Sequence, residues 1–372
     1  MNRHLAYDGL RGWLLIIIAC NHLYGSFVTE FTRTPLGFVS AAEGFVFLSG
    51  FVAYLVYGRL IEHPARLKQK IWRRIATIYG FHLFAIFCTF LLVWLFPFFQ
   101  PIWTDFFNAG NWFISSMQSF GSAIFLLEHP GFHDILILYL VPMICLPFAI
   151  FAIKQGKAYL VGALSCLVWL LAQFISADFL SAPFNTVFSD IKLNVSYFDP
   201  FAWQIYFYMG VILSHLKFDK GHTFEFSIAI KAFLLTCIAA LFIIKHGFPD
   251  LMQPYFVGHG SASLVYQANL LLAAYLVMLL MRKCTWFFTL KYPVFLGQHA
   301  LPVFSFHCVA IYFILPATNP FTTQNWYWDV LACVGFVLLL ALPAKLDAIW
   351  RNKIRSVKNG TKASSCEIAA HK

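Results

Sequence analysis

Arg11, His22 and Glu43 are the residues of this chain whose types and spacing point first to chemistry. Arg11 stands at the entrance of the apolar run Leu14–Ile18, His22 follows that run, and Glu43 opens a second one, GFVFLSGFVAYLVYG. Arg11 and His22 are eleven residues apart. On a helix that is about 16 Å of rise and three turns plus about 20°, so both side chains project from one face. A permanent cation at one end of a stripe and a titratable imidazole further along it look like parts of a path. Ionisable groups within a bilayer are costly, and the default reading is functional. Imidazole, with an ordinary pKa of about 6.5, suits proton exchange near neutrality. A lone carboxylate in hydrocarbon needs a partner or a proton. Structural roles stand beside these. Arg11 can be a positive-inside anchor paired with Asp8, and His22 a buried histidine bonded to a backbone carbonyl.

The elements that must position these groups follow from composition. Hydrophobic residues make up 60% and charged residues 11%, against about 45–50% and about 25% in soluble domains. With 43 Phe and 11 Trp, the chain reads as a polytopic integral membrane protein, an all-α helical bundle. The net charge of +10 is scattered between apolar runs and does not indicate nucleic-acid binding. No cleavable signal peptide is expected, because the first run is long and further spans follow. The nine Cys lie mostly inside spans without a CxxC pair and read as packing residues.

Length and apolarity predict ten transmembrane helices, at about 12–28, 38–57, 76–97, 133–153, 158–176, 200–216, 226–245, 263–281, 294–316 and 327–344. All of the 26 Lys and Arg except Arg33, Lys192 and Lys245 then fall on one side of the membrane. That positive-inside bias puts both termini in the cytoplasm. Residues 1–350 form the transmembrane domain, and 351–372 read as a polar, disordered cytoplasmic tail. In this topology His22 and Glu43 lie at similar depth in the outer half of the bilayer, joined by a short connection with Pro35 and Gly37, while Arg11 lies at the cytoplasmic mouth. Residues 98–132 carry Trp103, Asn108, Asn111, Trp112, Glu128 and His129 without a Lys or Arg, and 177–199 add Asp178, Asn185, Asp190, Asn194 and Asp199. Such surfaces suit sugar rings. The alternative is a helix lying in the interface with Trp as a belt residue. His129 and His133 are four apart, but Pro130 and Gly131 interrupt any helix, so no zinc pair is read there, and no metal is expected elsewhere. Ser49 lacks a nucleophile elbow; Ser-Gly in a membrane helix permits close packing.

DGLRG, the Arg-ten residues-His spacing of Arg11 and His22, and EGFVFLSGF resemble the bacterial membrane acyltransferases of the Arg-ten-His type, acyltransferase family 3. FHDILILYLVP, FDPFAWQIYFYMGV and LGQHALPVFSFH extend the resemblance over residues 5 to 345 and bring it closer to one branch, the OpgC family. The resemblance implies an acyltransferase of the bacterial inner membrane that moves an acyl group, succinyl or acetyl, from cytoplasmic acyl-CoA to hydroxyls of a periplasmic glucan or other polysaccharide. No cofactor is bound in that scheme; acyl-CoA is the co-substrate, and partners are acyl-CoA, the polysaccharide acceptor and membrane lipid. His22 and Glu43 are then the catalytic pair, with His22 as general base or acyl carrier and Glu43 orienting its ring. Arg11, Arg73 and Arg74 are candidates for the acyl donor, with Lys68–Arg74 alternatively a basic loop beside anionic lipid. His133, Asp134, Gln204 and His307 are acceptor or cavity candidates; Asp134 can instead cap a helix and His307 satisfy a carbonyl. A second class, a transporter or exporter of an anionic metabolite or glycan, fits the hydropathy, but no inverted repeat or paired broken helices are evident.

Overall fold

Inside hydrocarbon a chain must satisfy its backbone by helix or closed barrel, and among the described residues this one is all helix, without a strand. The computed structural model describes residues 5–23, 26–187, 192–193, 195, 197–248, 258–322 and 325–370. Arg3, Asp190, Asn194 and Lys372 lie outside the described residues. The helices are α1 (Leu5–Asn21), α2 (Phe27–Thr32), α3 (Ala41–Tyr57), α4 (Pro64–Leu95), α5 (Gln100–Phe107), α6 (Gly110–Ile114), α7 (Ser116–Ile124), α8 (Ile135–Lys154) and α9 (Ala158–Ala172). They continue as α10 (Ala182–Asn185), α11 (Pro200–Phe218), α12 (Ile228–Gly247), α13 (Leu264–Lys283), α14 (Thr285–Phe288), α15 (Lys291–Gln298), α16 (Ala300–Thr322), α17 (Trp326–Leu339) and α18 (Ala341–Ala370).

Seven of these segments are long and apolar enough to cross a membrane, on α3, α4, α8, α12, α13, α16 and α17 running into α18. The chain is therefore a helical membrane protein. The other three predicted segments fall on α1 and α9, of 17 and 15 residues, and on α11, whose apolar run is diluted by Gln204, Tyr206, Tyr208 and His215. The first segment is shorter than hydropathy suggests. α1 stops at Asn21, and Ser26 begins a new helix by accepting from Thr29 N–H, so His22 sits in the turn just beyond α1. α18 crosses residue 350 and its backbone is helical to Ala370, where a disordered tail was expected. Between Arg351 and Ala370 there is no proline and one glycine, so no residue there bars a helix.

α3 lies along α11 and α1 along α15, and glycine permits both contacts. A Cβ at Gly50 would stand 2.0 Å from Phe207 O, and one at Gly210 2.0 Å from Phe47 O. One at Gly12 would stand 1.8 Å from Pro293 O. The glycines of DGLRG and LSGF are thus points of backbone contact. Gly50→Val should destabilise the protein by about 1 to 3 kcal/mol through overpacking. Gly80→Ala, where a Cβ meets nothing within 4 Å, should not. Thermal unfolding in detergent is the check, and equal melting of the two variants would contradict this packing.

At the Arg11 end a polar clamp ties α3, α8 and α11 together. Tyr54 and His215 hydrogen-bond the Asp219 carboxylate, and Lys154 Nζ lies 2.8 Å from it. Partial burial opposes ionisation of Asp219, but hydrogen bonds from Lys154, Tyr54 and His215 outweigh it and hold the carboxyl down at about 2.

Candidate active site

α1 delivers His22 to a buried partner on α16. His22 Nδ1 lies 2.7 Å from His307 Nε2, and His307 is 2% exposed. The second ring nitrogen of His307 favours one arrangement of the protons. Its Nδ1 is 3.3 Å from Phe304 O, and a carbonyl can only accept, so Nδ1 carries the hydrogen and Nε2 the lone pair. His22 then donates its Nδ1–H to His307, which leaves His22 Nε2 as the basic atom. This is the chemistry that a carboxylate performs for an imidazole in hydrolase triads: it fixes the tautomer and receives the charged ring.

Two neighbours hold the His22 ring in place. Phe132 stacks on it at 3.8 Å between centroids and 23° between planes. Phe132 has φ of 72°, a left-handed conformation that a bulky residue adopts at a cost. Its carbonyl accepts from Cys308 Sγ at 3.1 Å, so the strained residue is tied to the turn of α16 that carries His307. On the other side, α2 closes over the end of α1: Asn21 Nδ2 donates to Thr32 O, and Thr29 Oγ1 lies 3.0 Å from Leu23 O. No signal in the sequence singles out Phe132, apart from its place beside His133 and Asp134.

Glu43 takes a different histidine. Its Oε2 accepts from Ser40 N–H and Oγ–H at 3.0 and 2.6 Å, closing a capping box at the start of α3. Its Oε1 lies 2.8 Å from His259 Nε2, in the turn before α13. The expected orientation of His22 by Glu43 is therefore replaced by two separate pairs, His22–His307 and Glu43–His259. Helix rotation explains the difference. Phe45, about 200° around α3 from Glu43, stacks on Phe304 at 5.8 Å, and Phe304 flanks His307 at 5.4 Å. Glu43 faces the other way.

Arg11 is half-buried, and its guanidinium and that of Arg74 both act on the Tyr139 hydroxyl of α8. Tyr139 in turn meets Phe45 at 6.3 Å. Arg11 and Arg74 thus share Tyr139 as a neighbour, and the Arg73 and Arg74 side chains are both exposed.

The remaining candidates divide. His133 Nε2 pairs with Thr89 Oγ1 at 3.0 Å, and its ring lies 5.8 Å from Tyr312, within the same core as His307. Asp134 is buried and makes no capping hydrogen bond at the start of α8. Gln204 is not a cavity residue: Ser165 Oγ donates to its Oε1 and its Nε2 donates to Ser165 O, both at 2.8 Å, so it bolts α11 to α9. Nor do Trp103 and Trp112 offer faces to a sugar or lie in an interface. They are 0% and 2% exposed, and Trp103 Nε1 donates to Tyr312 O. The short helices α5–α7 fold in against α4 and α16 and take these rings into the core. His299 pairs with Asp347 instead of lining the site.

A helical membrane protein with an imidazole pair set between its first helix and α16 is the class that fold and site define. Comparison with known families then places it: the family described as OpgC protein matches residues 3–352. The chain belongs to the OpgC family, and with it to transferases of a glucan-modifying, acyltransferase type. No curated protein and no solved structure matches the chain.

Proposed function

We propose that the chain transfers an acyl group, succinyl first, from cytoplasmic acyl-CoA to hydroxyls of a periplasmic glucan, as a ten-span protein of a bacterial inner membrane. The His22–His307 pair carries this reading, because it leaves a lone pair on His22 Nε2 and a second imidazole to take up the charge. The charge bias puts both termini in the cytoplasm, with α1, α9 and α11 as short spans. Arg11 and Arg74 then face the donor side, where a guanidinium fork fits the phosphates of the nucleotide or a carboxylate of the acyl group. The acceptor hydroxyl gives its proton to His22 Nε2, and its oxygen bonds to the thioester carbonyl carbon. The carbon–sulfur bond breaks, and the departing thiolate takes the proton back from the imidazolium. His307 keeps the His22 ring in the reactive tautomer throughout. Exposed Arg73 belongs with the anionic lipid surface in this scheme.

Mass spectrometry of periplasmic glycans tests the function. Cells lacking the protein should lose acyl substituents from the glucan, and unchanged glycans would overturn the reading. The topology has its own expected result: reporters fused at Lys68, Lys157, Lys220 and Lys283 read cytoplasmic, and those at Asn108 and Asn185 external. Two reversed sites are enough to reject ten spans. Arg11→Ala should raise the KM for acyl-CoA about tenfold, the worth of one charge-assisted contact, with Arg11→Lys recovering part of it. An unchanged dependence on acyl-CoA concentration would reduce Arg11 to a topology anchor.

A further inference from the structure

The Glu43–His259 pair is built like half of a binding site. Glu43 is 0% exposed, while His259 keeps 26% of its side chain open. A carboxylate accepts, so His259 holds its hydrogen on Nε2 and presents Nδ1 as a lone pair. Among the described residues no hydrogen bond reaches that Nδ1. The ring is nevertheless tightly held. Tyr266 stacks on it at 4.9 Å and 19°, Phe198 meets it at 5.0 Å, Trp203 at 5.7 Å and Tyr197 at 6.1 Å. Trp203 Nε1 also donates to His259 O. Here a buried carboxylate and four aromatic rings hold an imidazole that keeps a quarter of its side chain open.

The chemistry of the rim says what fits. A ring nitrogen is a directional hydrogen-bonding group, and a hydroxyl is a partner that fits it. The adjacent faces are aromatic, and Tyr197 is 69% exposed. A sugar residue offers both complements, a hydroxyl for the nitrogen and an apolar ring face for the aromatics. We propose that the cup around His259 is a carbohydrate subsite, in which Nδ1 accepts from a hydroxyl of the glucan chain and Tyr197 and Phe198 pack against its ring. The inference rests on the acyl-transfer reading for the identity of its ligand. It places a second contact with the same polymer on the face of α3 opposite the His22 pair. Glu43 is a positioning residue in this arrangement.

The test is binding of a short β-linked glucose oligomer to the full chain in nanodiscs with no acyl donor present, together with the KM for succinyl-CoA. His259→Ala and Tyr197→Ala should each weaken oligomer binding about tenfold, the worth of one hydrogen bond or stacked ring. The KM for succinyl-CoA should not move. Tyr197, being exposed, probes the subsite without disturbing the core. Unchanged oligomer affinity in both variants, in protein that melts like the wild type, overturns the subsite. An equal rise in the KM for succinyl-CoA also overturns it, because His259 would then lie on the donor path. If oligomer binding is present and weakened in both variants while no acyl transfer is detected, the subsite stands and the transferase reading falls.

Discussion

His22→Ala is expected to abolish acyl transfer, by about 10³-fold or more, in protein that still inserts and purifies as a monodisperse species. The basic atom of the site is His22 Nε2, and alanine leaves no group able to take the hydroxyl proton. His307→Ala should cost about 10²-fold or more, because His22 then loses the acceptor that fixes its tautomer. His307→Gln, whose amide oxygen can accept from His22 Nδ1–H, should recover part of that loss. The double variant should be little worse than His22→Ala, since groups that act as a unit are grossly non-additive. The measurement is acyl transfer per milligram of purified protein. Normal specific activity in folded His22→Ala would falsify the mechanism. Full activity in folded His307→Ala would keep His22 as the base but release His307 to a packing role.

The second large effect concerns stability and separates the two histidine pairs. Glu43→Ala removes the Glu43 half of the capping box of α3, and with it three hydrogen bonds to the carboxylate, from Ser40 N–H, Ser40 Oγ–H and His259. A cap is worth about 0.5–2 kcal/mol and a hydrogen bond to a charged group about 1.5–3, so a loss of about 3 kcal/mol or more is expected. Thermal unfolding of the single and double variants gives the coupling. Glu43 and His259 should couple by about 1 kcal/mol, because they are in contact, while Glu43 and His22 should be additive. Strong coupling of Glu43 to His22 with none to His259 would reverse the assignment of pairs.

The apolar segments, the helical class and the family were legible in the chain. These are properties of single segments: hydropathy acts over about 20 residues, charge bias over the flanking loops, and side-chain direction over a few turns of one helix. The close-packing role of Gly50 was legible for the same reason, since Ser-Gly in a membrane helix has few other uses.

Partner choice was decided by tertiary structure alone. His22 and His307 are 285 residues apart, and Glu43 and His259 216. His22 and Glu43 share a depth in the hydropathy pattern, but depth says nothing about rotation, and α3 turns Glu43 away from the face that Phe45 presents to the His307 side. Trp103 and Trp112 looked like surface aromatics because short helices rich in Trp and Asn fit an interface as well as a core. Trp103 is buried against Tyr312 of α16, 209 residues away, and Trp112 against α4 and α7. An imidazole, a carboxylate or an indole states what kind of partner it needs. Which partner it gets depends on how the helices rotate and pack against each other, and that rotation is set by distant contacts such as Gly50 against Phe207 and Gly12 against Pro293.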